Sequence, residues 1–209
     1  MRGPSLALVI LALFAVAGGA LAASSPLERE VIEELNFART RPSDYAEELE
    51  AYRDRFTGGI AHEVEGDIGV QTFEGPRAVD EAAAVVGRLR PTTPVAYDPA
   101  LARAAADHAE DQSRTGAIGH VGADGSHLGE RIARYSKGRS LVAEIISYGQ
   151  PTAQRVIRQL VIDDGERSRP HQADVFEPAF KRAGAACRRH PVYQYVCVID
   201  LSGAPLASR

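Results

Sequence analysis

Residues 162 to 180 read IDDGERSRPHQADVFEPAF, and this stretch is the most informative part of the chain. It passes from a turn-rich segment into His171 and then into an apolar pair. Upstream, His120 follows a glycine at the end of a helical pattern, and Glu144 is a lone acid inside an apolar run. Two histidines and a carboxylate from three separate segments indicate one convergent site.

The first 22 residues have the organisation of a signal peptide. Arg2 supplies a positive start, residues 6–16 an apolar run, and residues 20–22 a small-residue cleavage site. The run approaches the length of a membrane span, but the small residues after it favour cleavage over anchoring. We therefore expect a mature chain of residues 23–209, secreted or periplasmic. It would meet a membrane only through an uncleaved leader.

The composition suits one globular domain without a nucleic-acid partner. The chain has 24 Lys and Arg against 28 Asp and Glu, a formal net charge of −4. Such a mildly acidic balance argues against nucleic-acid binding. The length that remains after the leader fits a single domain.

Cys187 and Cys197 are the two cysteines. Each lies in a segment that alternates like a strand, and a turn-like segment separates them. Export would place the pair in an oxidising compartment, where a disulfide across a hairpin is expected. A redox-active pair or a thiolate metal site is the less favoured alternative, because the spacing is not CxxC.

Apolar periodicity predicts several helices and a few strands, most of them late in the chain. Helices are expected at about 27–39, 77–89 and 99–115, through Tyr45 to Tyr52, near 130–135 and after Pro151. Strands are expected near 141–147, 182–187 and 195–201. A glycine-rich insertion at about 57–77 interrupts the pattern, with a short strand at 68–73. This order predicts an α+β fold with helices on both faces of a small antiparallel sheet.

Four segments, in this order, resemble motifs of the CAP superfamily. That superfamily contains cysteine-rich secretory proteins, antigen 5 and pathogenesis-related protein 1, and its domain is also called the SCP domain. The matching segments are Leu35–Arg39, Pro94–His120, Ala143–Gly149 and His171–Phe180. The resemblance covers most of the mature chain and implies one domain, an α-β-α sandwich with an open central cleft.

The resemblance also implies a set of cleft residues. Family members line the cleft with two histidines and two acids. By position in the motifs these are His120, Glu144 and His171, with Asp163 as the second acid and Asp164 as the next best match.

The residues around this set depart from the family pattern. Ile145 stands where the family has asparagine after the glutamate. Pro170, Gln172 and Asp174 replace a glycine, an arginine and an asparagine around the second histidine. Residues that orient metal ligands are typically worth about 10–100-fold in affinity or activity, so these changes bear on metal binding more than on the fold.

Imidazole and carboxylate groups suit divalent cations, zinc above all. His120, Glu144, Asp163 and His171 are therefore candidate metal or cleft residues. The alternative is that the two histidines hydrogen-bond to loop backbone and hold the cleft walls. No HExxH helix is present.

The resemblance implies a secreted binding protein rather than one defined reaction. Its cleft would take a divalent cation, a lipid, a peptide or a protein ligand. An alternative is a metal-dependent, protease-like hydrolase with Glu144 or Asp163 as general base. A third possibility is a sterol or fatty acid in a groove between the helices after Arg77 and Pro151.

Overall fold

The computed structural model describes residues 25–64 and 67–208. The predicted leader, residues 1–22, lies outside the described residues. Helices in the described ranges are α1 (Pro26–Thr40), α2 (Pro42–Arg53), α3 (Pro76–Val86), α4 (Pro99–Thr115), α5 (Leu128–Tyr135), α6 (Ala153–Ile162) and α7 (Pro170–Phe176). Strands are β1 (Phe56–Thr57), β2 (Ile60–Ala61), β3 (Val70–Gln71), β4 (Ala96–Tyr97), β5 (Ser136–Lys137), β6 (Val142–Tyr148), β7 (Arg182–His190), β8 (Gln194–Ser202) and β9 (Ala207–Ser208).

Local sequence signals explain where the longer helices start. Ser25 and Glu28 form a capping box at α1, each side chain bonding the other's backbone N–H. The Asp98 carboxylate accepts the N–H groups of Ala100 and Leu101 at the start of α4. The predicted helix from Pro99 to Thr115 is confirmed residue for residue.

A four-stranded sheet in the order β4-β7-β8-β6 forms the centre of the fold. The β7–β8 hairpin and the β8–β6 pair are antiparallel, and the short β4 lies parallel to β7. In the hairpin Cys187 lies directly opposite Cys197, with 4.1 Å between the Cα atoms. The predicted disulfide between them is confirmed.

Helices cover both faces of this sheet. On one face, residues of α1, α2, α3, α6 and α7 share a buried apolar cluster with Ile145, Ala185 and Ile199 of the sheet. On the other face α4 packs on β7 and β8, and α5 packs on α4. Gly184 of β7 makes this contact possible, since a Cβ there would lie 2.0 Å from the Ala102 nitrogen. The predicted α+β fold, an α-β-α sandwich, is confirmed.

Arg39 anchors the segment that follows α7. It belongs to the first of the family-like motifs and is completely buried. Its guanidinium donates to the backbone carbonyls of Val175 at 2.6 Å and of Glu177 and Phe180 at 3.1 Å. The motif therefore orders the backbone at the far end of α7, whose first turn carries His171.

The glycine-rich segment forms a small sheet of its own. Strands β1, β2 and β3 pair antiparallel in that order, with two residues each. The sheet lies beside α6, outside the sandwich. No helix in residues 25–64 or 67–208 is long and apolar enough to cross a bilayer.

Candidate functional site

His120 and Glu144 form the first pair of the site. His120 lies in the loop after α4, and Glu144 lies on β6. The imidazole Nδ1 is 2.9 Å from the Glu144 Oε1. The histidine side chain is 54% exposed and the carboxylate only 2% exposed. The acid therefore lies behind the histidine, and the ring faces the solvent.

Arg131 of α5 holds the other side of Glu144. Its Nη2 donates to Oε2 at 2.6 Å, and its Nη1 donates to the carbonyls of Ser126 and His120. Burial raises the pKa of Glu144, but the hydrogen bond from His120 and the charge of Arg131 outweigh it. The net result is a pKa of Glu144 below its ordinary value. Glu144 is thus a buried, ionised carboxylate with both oxygens engaged.

A hydrogen-bonded network fixes the loop that carries His120. The carbonyl of Gly119 accepts from Gln112 Nε2 at 2.6 Å and lies 2.8 Å from His108 Nε2. The Gly119 N–H donates to the Tyr148 hydroxyl, which in turn donates to Gln112. His108 is fully buried. Its side chain supports the loop that carries His120. In the sequence, the helical pattern of α4 is the one sign that His108 is buried.

His171 and Asp163 form the second pair. The imidazole Nδ1 is 2.7 Å from Asp163 Oδ1, while Oδ2 accepts the backbone N–H groups of His171 and Gln172. Asp163 ends α6 in a left-handed conformation, with φ of 54°. The hydrogen bond to Asp163 raises the pKa of His171, against the opposing effect of burial.

Burial raises the pKa of Asp174 of α7, and the charges of His171 and His120 act on it in the opposite direction. In the parts of the chain that the structure describes, no three His, Cys, Asp or Glu side chains converge as a metal site.

In both pairs the acid occupies Nδ1, which leaves Nε2 as the outward atom of the ring. This is the arrangement in which a carboxylate orients a metal-ligating histidine from behind. The four residues predicted from the sequence thus come together as two His–acid pairs, with the acids in the interior. Asp164, the second choice for the acid, points elsewhere and binds the backbone of Phe73 and Glu74.

A cavity of about 340 Å³ opens next to the second pair. Its floor comes from α6 and from β6, the edge strand of the central sheet, and its roof comes from the small β1–β3 sheet. Eight of its lining residues are aromatic or aliphatic: Tyr52, Phe56, Val70, Phe73, Val79, Ile146, Leu160 and Ile162. Polar and charged residues complete the lining, and Asp163 and His171 are among them.

The roof is attached by reciprocal contacts that sequence reasoning missed. Asp164 accepts the N–H groups of Phe73 and Glu74 at 2.7 and 2.8 Å. In return Glu74 accepts the Gly165 N–H and binds the Arg169 guanidinium through both oxygens. We call these contacts of Glu74, Asp164 and Arg169 the latch. It joins the glycine-rich segment to the loop between Asp163 and His171.

The chain is similar to one known protein family. A sequence model of the cysteine-rich secretory protein family, CAP, matches residues 47–201. No curated protein matches the chain.

Two solved bacterial structures are similar at low identity. An outer surface protein of Borrelia burgdorferi is 17% identical, with a TM-score of 0.44, and the match covers 55% of this chain and 78% of that one. A cysteine-rich secretory protein of Staphylococcus aureus is 13% identical, with a TM-score of 0.40, over 74% of this chain and 48% of that one. The family match spans most of the chain, from α2 to β8, so the protein belongs to the cysteine-rich secretory protein (CAP) family.

Proposed function

We propose that this protein is a secreted binding protein that takes a lipid-like small molecule into the cavity beside His171. The observation that carries this proposal is the cavity itself, about 340 Å³, which combines apolar and aromatic side chains with polar and charged ones. Ligand sites of small molecules have this size and combine apolar walls with polar groups that fix the orientation of the ligand. The disulfide is typical of an oxidising compartment and supports secretion.

The two helices that could line a groove for a sterol or fatty acid both contribute to the cavity. Val79 of α3 and Leu160 of α6 both line it. Two roof residues, Val70 and Phe73, are 54% and 89% exposed although they line the cavity. A ligand that covers them would remove apolar surface from water, at about 25 cal/mol per Å².

A neutral fluorescent hydrophobe, N-phenyl-1-naphthylamine, provides the test. We expect saturable binding to the mature chain and a loss of at least tenfold in Val70→Trp, whose indole would fill the cavity mouth. Val192→Trp is the matched control, since Val192 is 68% exposed and lies in the turn between β7 and β8. Equal binding to all three proteins, or none to the wild type, would reject the cavity as the site.

Divalent cation binding is a second proposal, favoured by a different observation. Each histidine donates from Nδ1 to a carboxylate that is at most 4% exposed, which would fix Nε2 as the ligand atom. His120 and His171 would hold the ion, and water would complete the shell. Zinc titration calorimetry on the mature chain and on the His120→Ala, His171→Ala double variant tests this. Micromolar binding that the variant loses supports it, and no heat from either protein rejects it for zinc.

The contacts give less support to a metal-dependent hydrolase. A general base must lie within hydrogen-bond reach of the substrate proton that it removes. The Glu144 and Asp163 side chains are only 2% and 4% exposed, and each carboxylate is bonded to the Nδ1 of its histidine. We therefore propose binding, and not turnover, as the function of the cleft.

A further inference from the structure

We infer that Arg155 and Arg158 form an anion site in the wall of the cavity, for the carboxylate of the bound molecule, and that Glu63 of the roof segment now occupies it. This inference rests on the proposed function and makes it more specific. The ligand class becomes an apolar chain or ring that carries one carboxylate. Glu63 then competes with the ligand carboxylate for the two arginines.

The two arginines converge on a single oxygen. They lie three residues apart on α6, so they share one face of the helix. Arg155 Nε lies 3.3 Å from Glu63 Oε1, and Arg158 Nη2 binds the same atom. All three side chains line the cavity. The carboxylate of Glu63 thus marks the position that a ligand carboxylate would take.

Neighbouring side chains hold both guanidinium groups in place. Arg155 Nε also donates to Gln150 Oε1 at 3.0 Å. Arg158 stacks over the Tyr52 ring, 3.7 Å from its centroid, and its side chain is only 8% exposed. Pre-oriented, poorly hydrated guanidinium groups are well suited to carboxylates. An entering carboxylate would therefore meet a site that is already formed.

Glu63 can leave without detaching the roof. The latch holds the roof at Phe73 and Glu74, through contacts that do not involve Glu63. The backbone of Glu63 is held separately, since its N–H donates to Asp67 and its carbonyl accepts from Arg55. Rotation of the Glu63 side chain would free the arginines while these contacts remain.

Other acids near Arg158 leave room for an anion. Glu34 and Glu48 lie on the neighbouring helices α1 and α2. Burial raises the pKa of Glu34 to about 7, with a further contribution from Glu48, against the lowering effect of Arg158. Glu34 is therefore partly protonated at neutral pH, and it competes for Arg158 less than a fully ionised acid would. Among the residues that the structure describes, Arg155 forms an ion pair with Glu63.

Calorimetry with decanoate and decanol at pH 7 tests the inference, because the two probes share the chain and differ in charge. In Glu63→Gln we expect decanoate to bind about tenfold tighter, since its internal competitor is gone. In Arg155→Gln we expect decanoate to bind about tenfold weaker. Decanol should change by less than twofold in both variants. Thermal melting within a few degrees of wild type would show that the variants fold.

The outcomes separate this inference from the proposal beneath it. If decanol binds, and Glu63→Gln leaves decanoate unchanged or weaker, Glu63 is only a tether and the anion site is rejected, while the cavity stands. If Glu63→Gln strengthens the binding of decanol and of decanoate equally, recognition of the ligand carboxylate by the two arginines is rejected as well. If neither probe binds to any of the proteins, both the anion site and the proposed function fail.

Discussion

Glu144 and Asp200 lie directly opposite each other on β6 and β8, and neither Asp200 oxygen has a hydrogen-bond donor. Asp200 is completely buried. Burial, and then the charge of Glu144, raise the pKa of Asp200 well above its ordinary value, although Arg131 acts in the opposite direction. The two facing carboxyl groups are therefore shifted in opposite directions, with the pKa of Glu144 below its ordinary value and that of Asp200 above it.

Asp200→Asn should accordingly stabilise the protein at high pH. The folded state keeps a proton that the unfolded chain releases above its ordinary pKa, so wild-type stability falls as pH rises toward the folded pKa. Asparagine carries no such proton, and we expect a gain of about 1–2 kcal/mol at pH 8 that shrinks toward pH 4. Urea unfolding at both pH values measures it. A loss of stability at pH 8 would mean that Asp200 is ionised.

Glu144→Gln should instead destabilise the protein. It would leave the buried Arg131 guanidinium without its charged partner, which typically costs about 3–5 kcal/mol. Asp200 would then be the remaining acid near Arg131. Asp200→Asn should therefore destabilise the Glu144→Gln protein although it stabilises the wild type, a reversal that a double-mutant cycle detects. Additive effects would contradict the shared cluster, and Glu50→Gln on the exposed face of α2 is the control.

Glu34 should make stability depend on pH. Burial raises its pKa from 4.5 to about 7, and one of its oxygens is buried without a partner. The folded state thus binds the proton more tightly than the unfolded state, and stability declines as pH rises from about 4.5 to about 7. Glu34→Gln should flatten this decline and gain roughly 1 kcal/mol at pH 8, allowing for solvent screening of the partly exposed side chain. Glu33→Gln, at an exposed neighbour, should leave the wild-type profile unchanged.

Breaking the latch should loosen the cavity roof and leave the sandwich intact. The small sheet has only two residues in each strand, so its position depends on contacts outside it. In the Glu74→Ala, Asp164→Ala double variant we expect trypsin to cut after Arg55 or Arg77 at least ten times faster, with a melting temperature within a few degrees of wild type. A cleavage rate equal to that of the wild type would show that Glu63 and its arginines hold the roof alone.

Much of the fold could be predicted from the sequence because its signals are local. The Asp98 cap and Pro99 define the start of α4, and the alternation around Cys187 and Cys197 predicts the hairpin and its disulfide. Helix α7 was missed, because seven residues between turn-rich segments show no full helical period. The helix is positioned by the hydrogen bonds from its first turn to Asp163 and by those from Arg39 to the backbone at its end. Neither set of contacts shows in the local sequence pattern.

The candidate site was predictable in its members but not in its arrangement. The motifs point to His120, Glu144, Asp163 and His171, and the structure brings them together in two pairs. The sequence could not show that the acids lie behind the rings. That arrangement depends on Arg131 and on the left-handed turn at Asp163. The contact of the two α6 arginines with Glu63 and the contacts of the latch likewise join distant segments, with no periodic signal.

The cavity takes its roof from the glycine-rich segment and its floor from the sandwich. Substitutions that alter the cavity can therefore be separate from substitutions that alter the core. Substitutions in residues 57–77 can reshape what the cavity accepts while the histidine pairs and the disulfide-bonded hairpin stay as they are. A new ligand preference would then need no redesign of the core. In this architecture the roof is the part of the cavity that substitutions can change at little cost to folding.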